Sequence, residues 1–125
     1  FFRAINDDFG HLAGDRVIKA VAGCLQQEIR ESDHAARYGG EEYAIILPDT
    51  QIQGATIVAE RIRKTVDSLR IKYEDNLIHF TMSLGIASFQ TEERTTSDEL
   101  MKRADSALFQ AKKQGRNQCC VFGKA

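Results

Sequence analysis

Gly39-Gly40-Glu41-Glu42-Tyr43 lies between two apolar, strand-like runs, Ala35-Ala36-Arg37-Tyr38 before it and Ala44-Ile45-Ile46-Leu47 after it. Two glycines between such runs predict a β-hairpin, because glycine supplies the positive φ angles of a two-residue turn. The two carboxylates that follow are foreign to a purely structural hairpin, which favours β-branched and aromatic residues. Successive strand side chains point to opposite faces, so Glu41 and Glu42 cannot share one buried face. At least one is therefore available at a sheet end to hold a cation, and the glycines let a phosphate and its metal approach the backbone. The stretch reads as a nucleotide site built on a hairpin.

Working outward, three amphipathic helices are expected. From about Asp15 to Arg30, Val17, Val21, Leu25 and Ile29 recur every four residues and Ile18 widens the stripe. A second helix follows Pro48-Asp49-Thr50, with Thr50 and Gln53 at capping-box spacing and a stripe of Ala55, Val58, Ile62, Val66 and Leu69. The third follows Thr96, which stands three residues before Glu99; it carries Leu100, Ala104, Ala107, Leu108 and Ala111 and stops at Gly115. Between the last two helices, Ile78, Phe80, Met82, Leu84 and Ile86 alternate with more polar or smaller residues, which predicts one strand with a buried face. Arg70–Tyr73 reads as a short edge strand turning at Asp75-Asn76, and Cys119–Phe122 as a last short strand. Helices interleaved with a mostly antiparallel sheet predict an α/β sandwich of the α+β kind, a central sheet flanked by helices.

The 125 residues fit one domain, and hydrophobic and charged shares of 42% and 28% are those of an ordinary globular protein. With 17 basic and 18 acidic residues well mixed, the net charge is -1, which argues against a general nucleic-acid binder but leaves room for one nucleotide. No apolar run approaches the ~20 residues of a membrane span, and no secretory leader is visible, so a cytoplasmic domain without direct membrane contact is expected, either of a soluble protein or at the cytoplasmic end of a membrane-bound sensor. Cys24, Cys119 and Cys120 form neither a disulfide framework nor a zinc spacing. The apolar pair Phe1-Phe2 begins without a turn or cap, as if in the middle of an element.

Several constellations admit two readings. Ile5–Asp15 is rich in polar and turn residues and leads into the first helix, where unpaired N–H groups attract anions. Asn6 offers a donor and an acceptor and Asp15 acceptors only, a set that matches a guanine edge; equally, Asn6 closes a turn and Asp15 caps a helix. Arg30 and Asp33 are either solvated surface charges or a clamp for a phosphate or a guanine edge through the planar guanidinium fork. Lys112 and Arg116 flank a glycine turn, either complementing a helix dipole or binding phosphate oxygens. His11 is equally a structural histidine or a catalytic one, and Cys119 and Cys120 are small apolar strand residues.

Taken in order, these pieces resemble the GGDEF family of diguanylate cyclases over almost the whole chain. The resemblance is carried by Phe1–Asp7, Gly10-His11, Gly14-Asp15, Arg30-x-x-Asp33 placed five residues before Gly39–Tyr43, Pro48-Asp49-Thr50, Ala59–Arg63, Thr81–Ala87, Lys102–Asp105, and Ala111-Lys112 with Gly115-Arg116-Asn117. It implies a palm-like nucleotidyl-cyclase fold and condensation of two GTP, one in each of two facing domains, into cyclic di-GMP and two pyrophosphates. It implies a homodimer and Mg2+ or Mn2+ as cofactor. It makes Glu41 the metal ligand and base, with Gly39 and Gly40 against the phosphates. Asn6 and Asp15 then read guanine; Lys112, Arg116 and the backbone at Phe1 and Phe2 hold phosphates, with His11 among the substrate-binding residues. Arg30, Asp33 and Arg61 match an inhibitory site for the product.

Two departures stand out. Tyr43 replaces the usual phenylalanine, with little effect expected as long as its hydroxyl reaches a partner or solvent. The family's first metal-binding aspartate belongs to a segment preceding Phe1, so residues 1–125 are expected to be a catalytic domain lacking its N-terminal helix and first strand. A hard divalent cation wants several oxygen ligands, more than Glu41 alone. The alternative is a sensor module that binds GTP or cyclic di-GMP without turnover, against which Glu41 itself argues, since a receptor has no need of it.

Overall fold

Apolar residues at helical spacing build α1, His11–Glu28, in the computed structural model, which describes residues 8–39, 42–89 and 94–123. Val17, Val21 and Leu25 are buried as the stripe predicts, joined by Ala13 and Cys24. Full burial of such aliphatic side chains is worth about 1.5–3 kcal/mol each. The helix starts four residues earlier than expected. Gly10, at φ 93°, occupies the cap position, and no side chain caps the end. Asp15 therefore lies one turn inside α1 and does not cap it.

The hairpin forms from β1, His34–Gly39, and β2, Glu42–Ile46, paired antiparallel with His34 opposite Ile46, Arg37 opposite Tyr43 and Gly39 opposite Glu42. The register shifts between Arg37 and Gly39, a bulge next to the glycine. Gly39 is thus a strand residue, and Gly40 and Glu41, between the strands, lie outside the described residues.

Helix α2, Ile52–Ser68, buries Ala59, Ile62 and Val66. It is followed by β3, Ile71–Tyr73, and β4, Asn76–Ile78, an antiparallel pair turning through Glu74, at φ 53°, and Asp75, one residue earlier than expected. The expected single strand over 78–87 is two. β4 pairs with β3, whereas β5, Leu84–Ile86, pairs parallel with β6, Cys119–Val121. Ile78, Phe80 and Ile86 are buried as the period of two predicts, whereas Met82 and Leu84 are only half-buried, like the residues between them, and the hydrogen-bonding partner changes there. Next to the break, His79 Nε2 lies 2.9 Å from both the main-chain oxygen and Oδ1 of Asp67.

Helix α3, Ser97–Lys113, starts where the capping pattern places it: the Thr96 side chain accepts from the Glu99 N–H at 3.1 Å. Ala107 and Ala111 are buried on α3, which packs against β5 and β6. Its approach is close enough that a Cβ on Gly85 would collide with the main chain at Ala104 and Leu108. The architecture is α+β, helices with three two-stranded sheets among the described residues, two antiparallel and one parallel. Contacts divide the chain into two units, Phe1–Pro48 with Thr65–Phe80 and Asp49–Lys64 with Thr81–Ala125. Among the described residues no helix is long and apolar enough to cross a membrane.

Candidate functional site

In the first unit, α1 carries His11 in its first turn and Asp15 four residues on, a spacing that sets both on one exposed face. The neighbouring Arg16 donates to the Lys72 carbonyl at 2.9 Å and stacks its guanidinium 5.5 Å from the Tyr73 ring centre, which fixes this end of α1 to β3.

Arg30 and Asp33 close a tight turn between α1 and β1. The Asp33 N–H donates to the Arg30 carbonyl at 3.0 Å, and the Arg30 N–H donates to Asp33 Oδ2 at 2.8 Å. The guanidinium adds Nη2 to Oδ1 at 2.9 Å and Nε to Oδ2 at 3.3 Å, and a further bond from Nη2 to the Pro48 carbonyl at 3.0 Å. His34 begins β1 and Pro48 lies just past the end of β2, so Arg30 ties the two open ends of the hairpin together. The Asp33 side chain is 2% exposed and that of Arg30 59%. The side-chain hydrogen bonds from Arg30 hold the Asp33 carboxyl below the usual carboxylate range, aided by the Arg30 N–H and the positive charge, against the opposing effect of burial. Asp33 is thus a buried carboxylate within a built turn, while Arg30 stays largely exposed.

In the second unit, α3 ends in a Schellman motif. The Arg116 N–H donates to the Ala111 carbonyl at 2.9 Å and the Gly115 N–H to Lys112 at 3.4 Å, with Gly115 at φ 122°. Lys112 is half-buried in the last turn, and Arg116 is exposed just past it. Arg61 is exposed on α2 and lines a shallow depression of about 410 Å3 with Thr56, Ile57, Glu60 and Lys64.

The same unit holds a polar cluster that the sequence alone does not mark as functional. Arg63 donates through Nε and Nη2 to the two Glu60 carboxylate oxygens at 3.0 and 3.1 Å, and through Nη1 to Asn117 Oδ1 at 2.9 Å. The bonds from Arg63 to Glu60 lower the Glu60 pKa, outweighing burial, which raises it. The Cys119 thiol is pushed up to about 12, by burial first and then by donating to Glu60 and by its negative charge. The i,i+3 spacing of Glu60 and Arg63 is the one local signal of the cluster; Asn117, 54 residues from Arg63, has none.

Phe1, Phe2, Asn6, Gly40 and Glu41 lie outside the described residues. Among the described residues, no three His, Cys, Asp or Glu side chains come together as a group able to hold a metal ion, so the described residues alone do not supply a ligand set for a magnesium or manganese ion.

The family model "Diguanylate cyclase, GGDEF domain" matches residues 1–118, and the chain belongs to that family. Diguanylate cyclase A of Treponema denticola is 42% identical over 118 residues, covering 94% of this chain and 32% of that protein, so the chain spans about a third of its length. The active GGEEF domain of a diguanylate cyclase from Vibrio cholerae superposes with a TM-score of 0.88 at 35% identity, covering 99% of this chain and 78% of that one. The GGDEF domain of DgcB from Caulobacter crescentus, in complex with c-di-GMP, superposes with a TM-score of 0.91 at 35% identity, covering 98% and 72%. The Gly39–Tyr43 stretch differs from a GGEEF motif only in its last residue.

Proposed function

We propose that this domain is a diguanylate cyclase that condenses two GTP into cyclic di-GMP and two pyrophosphates across a homodimer. One observation carries the reading: the family match runs through residues 1–118 and takes in every residue of the proposed catalytic, substrate and inhibitory sites. Asn6 and Asp15 select guanine by accepting from its N1–H and N2–H and donating to O6. Lys112 and Arg116 neutralise the phosphates as charge-assisted donors, and Gly39 and Gly40 leave room for them at the hairpin. Holding each GTP in this way orients one 3′-hydroxyl toward the other's α-phosphate, so catalysis is largely positioning. A divalent cation with Glu41 among its ligands supplies charge neutralisation at the phosphates and favours ionisation of the hydroxyl. Arg30 and Asp33 are the residues through which cyclic di-GMP inhibits its own synthesis, with Arg61 as a second, separate arginine for the same ligand.

The test is direct. The intact protein with GTP and magnesium is expected to release pyrophosphate and cyclic di-GMP, at a rate per protomer that rises with protein concentration as dimers form. GTP binding with neither product at any concentration would replace the enzyme reading with that of a sensor module.

A further inference from the structure

Three successive residues after α3 adopt positive φ: Gly115 at 122°, Arg116 at 64° and Asn117 at 48°. The Schellman motif accounts for Gly115 alone. Left-handed conformations at residues other than glycine persist only where surrounding contacts impose them. Here the contacts converge on Asn117. Its N–H donates to the Ser83 hydroxyl at 3.1 Å, and its side-chain oxygen accepts from Arg63 at 2.9 Å. Arg63 is itself locked by its two-pronged bond to Glu60, and its side chain is 16% exposed, so rotation away from Glu60 would leave a largely shielded charge unpaired. Gln118 adds a bond from its side-chain N–H to the Arg116 carbonyl at 3.2 Å, and its own carbonyl accepts from Leu84 N–H at 3.0 Å.

We infer that Arg63, acting through Asn117, is a positioning residue that fixes the backbone of Arg116 and hence the direction in which Arg116 meets the phosphates of GTP. The inference rests on the cyclase reading above, in which Arg116 is a phosphate donor. Arg63 touches no substrate in this scheme. Its guanidinium is engaged by Glu60 and Asn117, and its effect passes through one side-chain carbonyl to the residue next to Arg116.

The experiment is calorimetric titration of the intact protein with 3′-deoxy-GTP, which lacks the reacting hydroxyl, and with 3′-deoxyguanosine, which lacks phosphate. Arg63→Gln is expected to weaken 3′-deoxy-GTP about tenfold, the worth of one charge-assisted hydrogen bond, and to leave 3′-deoxyguanosine unchanged. In an Arg116→Ala background the same change is expected to cost nothing further, because nothing is left to aim. Asn117→Gly, which keeps the left-handed backbone and removes the acceptor, is expected to match Arg63→Gln and carries the test should that variant fold poorly. Wild-type affinity for 3′-deoxy-GTP in both variants, or an equal loss in the Arg116→Ala background, overturns the inference. Absence of 3′-deoxy-GTP binding by the unaltered protein overturns the cyclase reading and the inference together.

Discussion

Asp33 is enclosed by Arg30 on both its main-chain and side-chain sides: its carboxylate accepts from the Arg30 N–H at 2.8 Å and from the guanidinium at 2.9 and 3.3 Å. The folded protein thus holds this carboxyl below its unfolded value of about 3.9. A depressed acid contributes stability that is present above the unfolded pKa and is lost as pH falls through the folded one. Asp33→Asn is therefore expected to be less stable than wild type at pH 7, with the gap closing below about pH 4. Urea midpoints of both proteins across that range check it, and a gap independent of pH would contradict it.

Arg30 also bonds to the Pro48 carbonyl, so the guanidinium is held at the hairpin base before any ligand arrives. A preorganised donor loses little rotamer freedom on binding. Arg30→Ala is expected to weaken cyclic di-GMP binding by roughly tenfold or more while leaving the initial rate of GTP turnover near wild type, because the proposed reading gives Arg30 no part in holding GTP. Progress curves with added cyclic di-GMP measure both quantities. Loss of the initial rate along with inhibition would count against a separate inhibitory site.

Gly85 lies where β5 meets α3, and a Cβ there would press on the Ala104 carbonyl and the Leu108 N–H, main-chain atoms that cannot swing aside. Overpacking against a fixed backbone costs up to about 3 kcal/mol. Gly85→Ala is expected to lose about that much, read as a lower urea midpoint at unchanged slope.

The hairpin was legible because two apolar, strand-like runs flank the glycine pair, although Gly39 itself belongs to β1, and α3 because Thr96 and Glu99 mark its start. The start of α1 was not, since it depends on Gly10 reaching φ 93° and no capping side chain announces it. The break between β4 and β5 was invisible because a period of two records which face is buried, not which strand is bonded. For the site, the spacing of Arg30 and Asp33 flagged a pair, but only the fold shows that Asp33 is buried and that the guanidinium reaches Pro48. The link from Arg63 to Asn117 joins residues too far apart in sequence for any local pattern to report it.

Tyr43 shows what the departure from phenylalanine does. The sequence predicts a harmless extra hydroxyl on condition that it finds a partner or solvent. Instead the hydroxyl is buried and has no hydrogen-bond partner among the described residues. An unsatisfied buried hydroxyl costs about 1–3 kcal/mol, so Tyr43→Phe is expected to stabilise the domain by about 1 kcal/mol. Burial also raises the phenol's pKa, against a smaller opposing effect of Arg37. A group with a raised folded pKa gives up stability as pH climbs past its unfolded value, about 10 for tyrosine. The advantage of Tyr43→Phe is thus expected to widen above about pH 10. Thermal unfolding at pH 7 and 10.5 checks both parts; a variant no more stable than wild type at pH 7 would mean that the hydroxyl is satisfied after all.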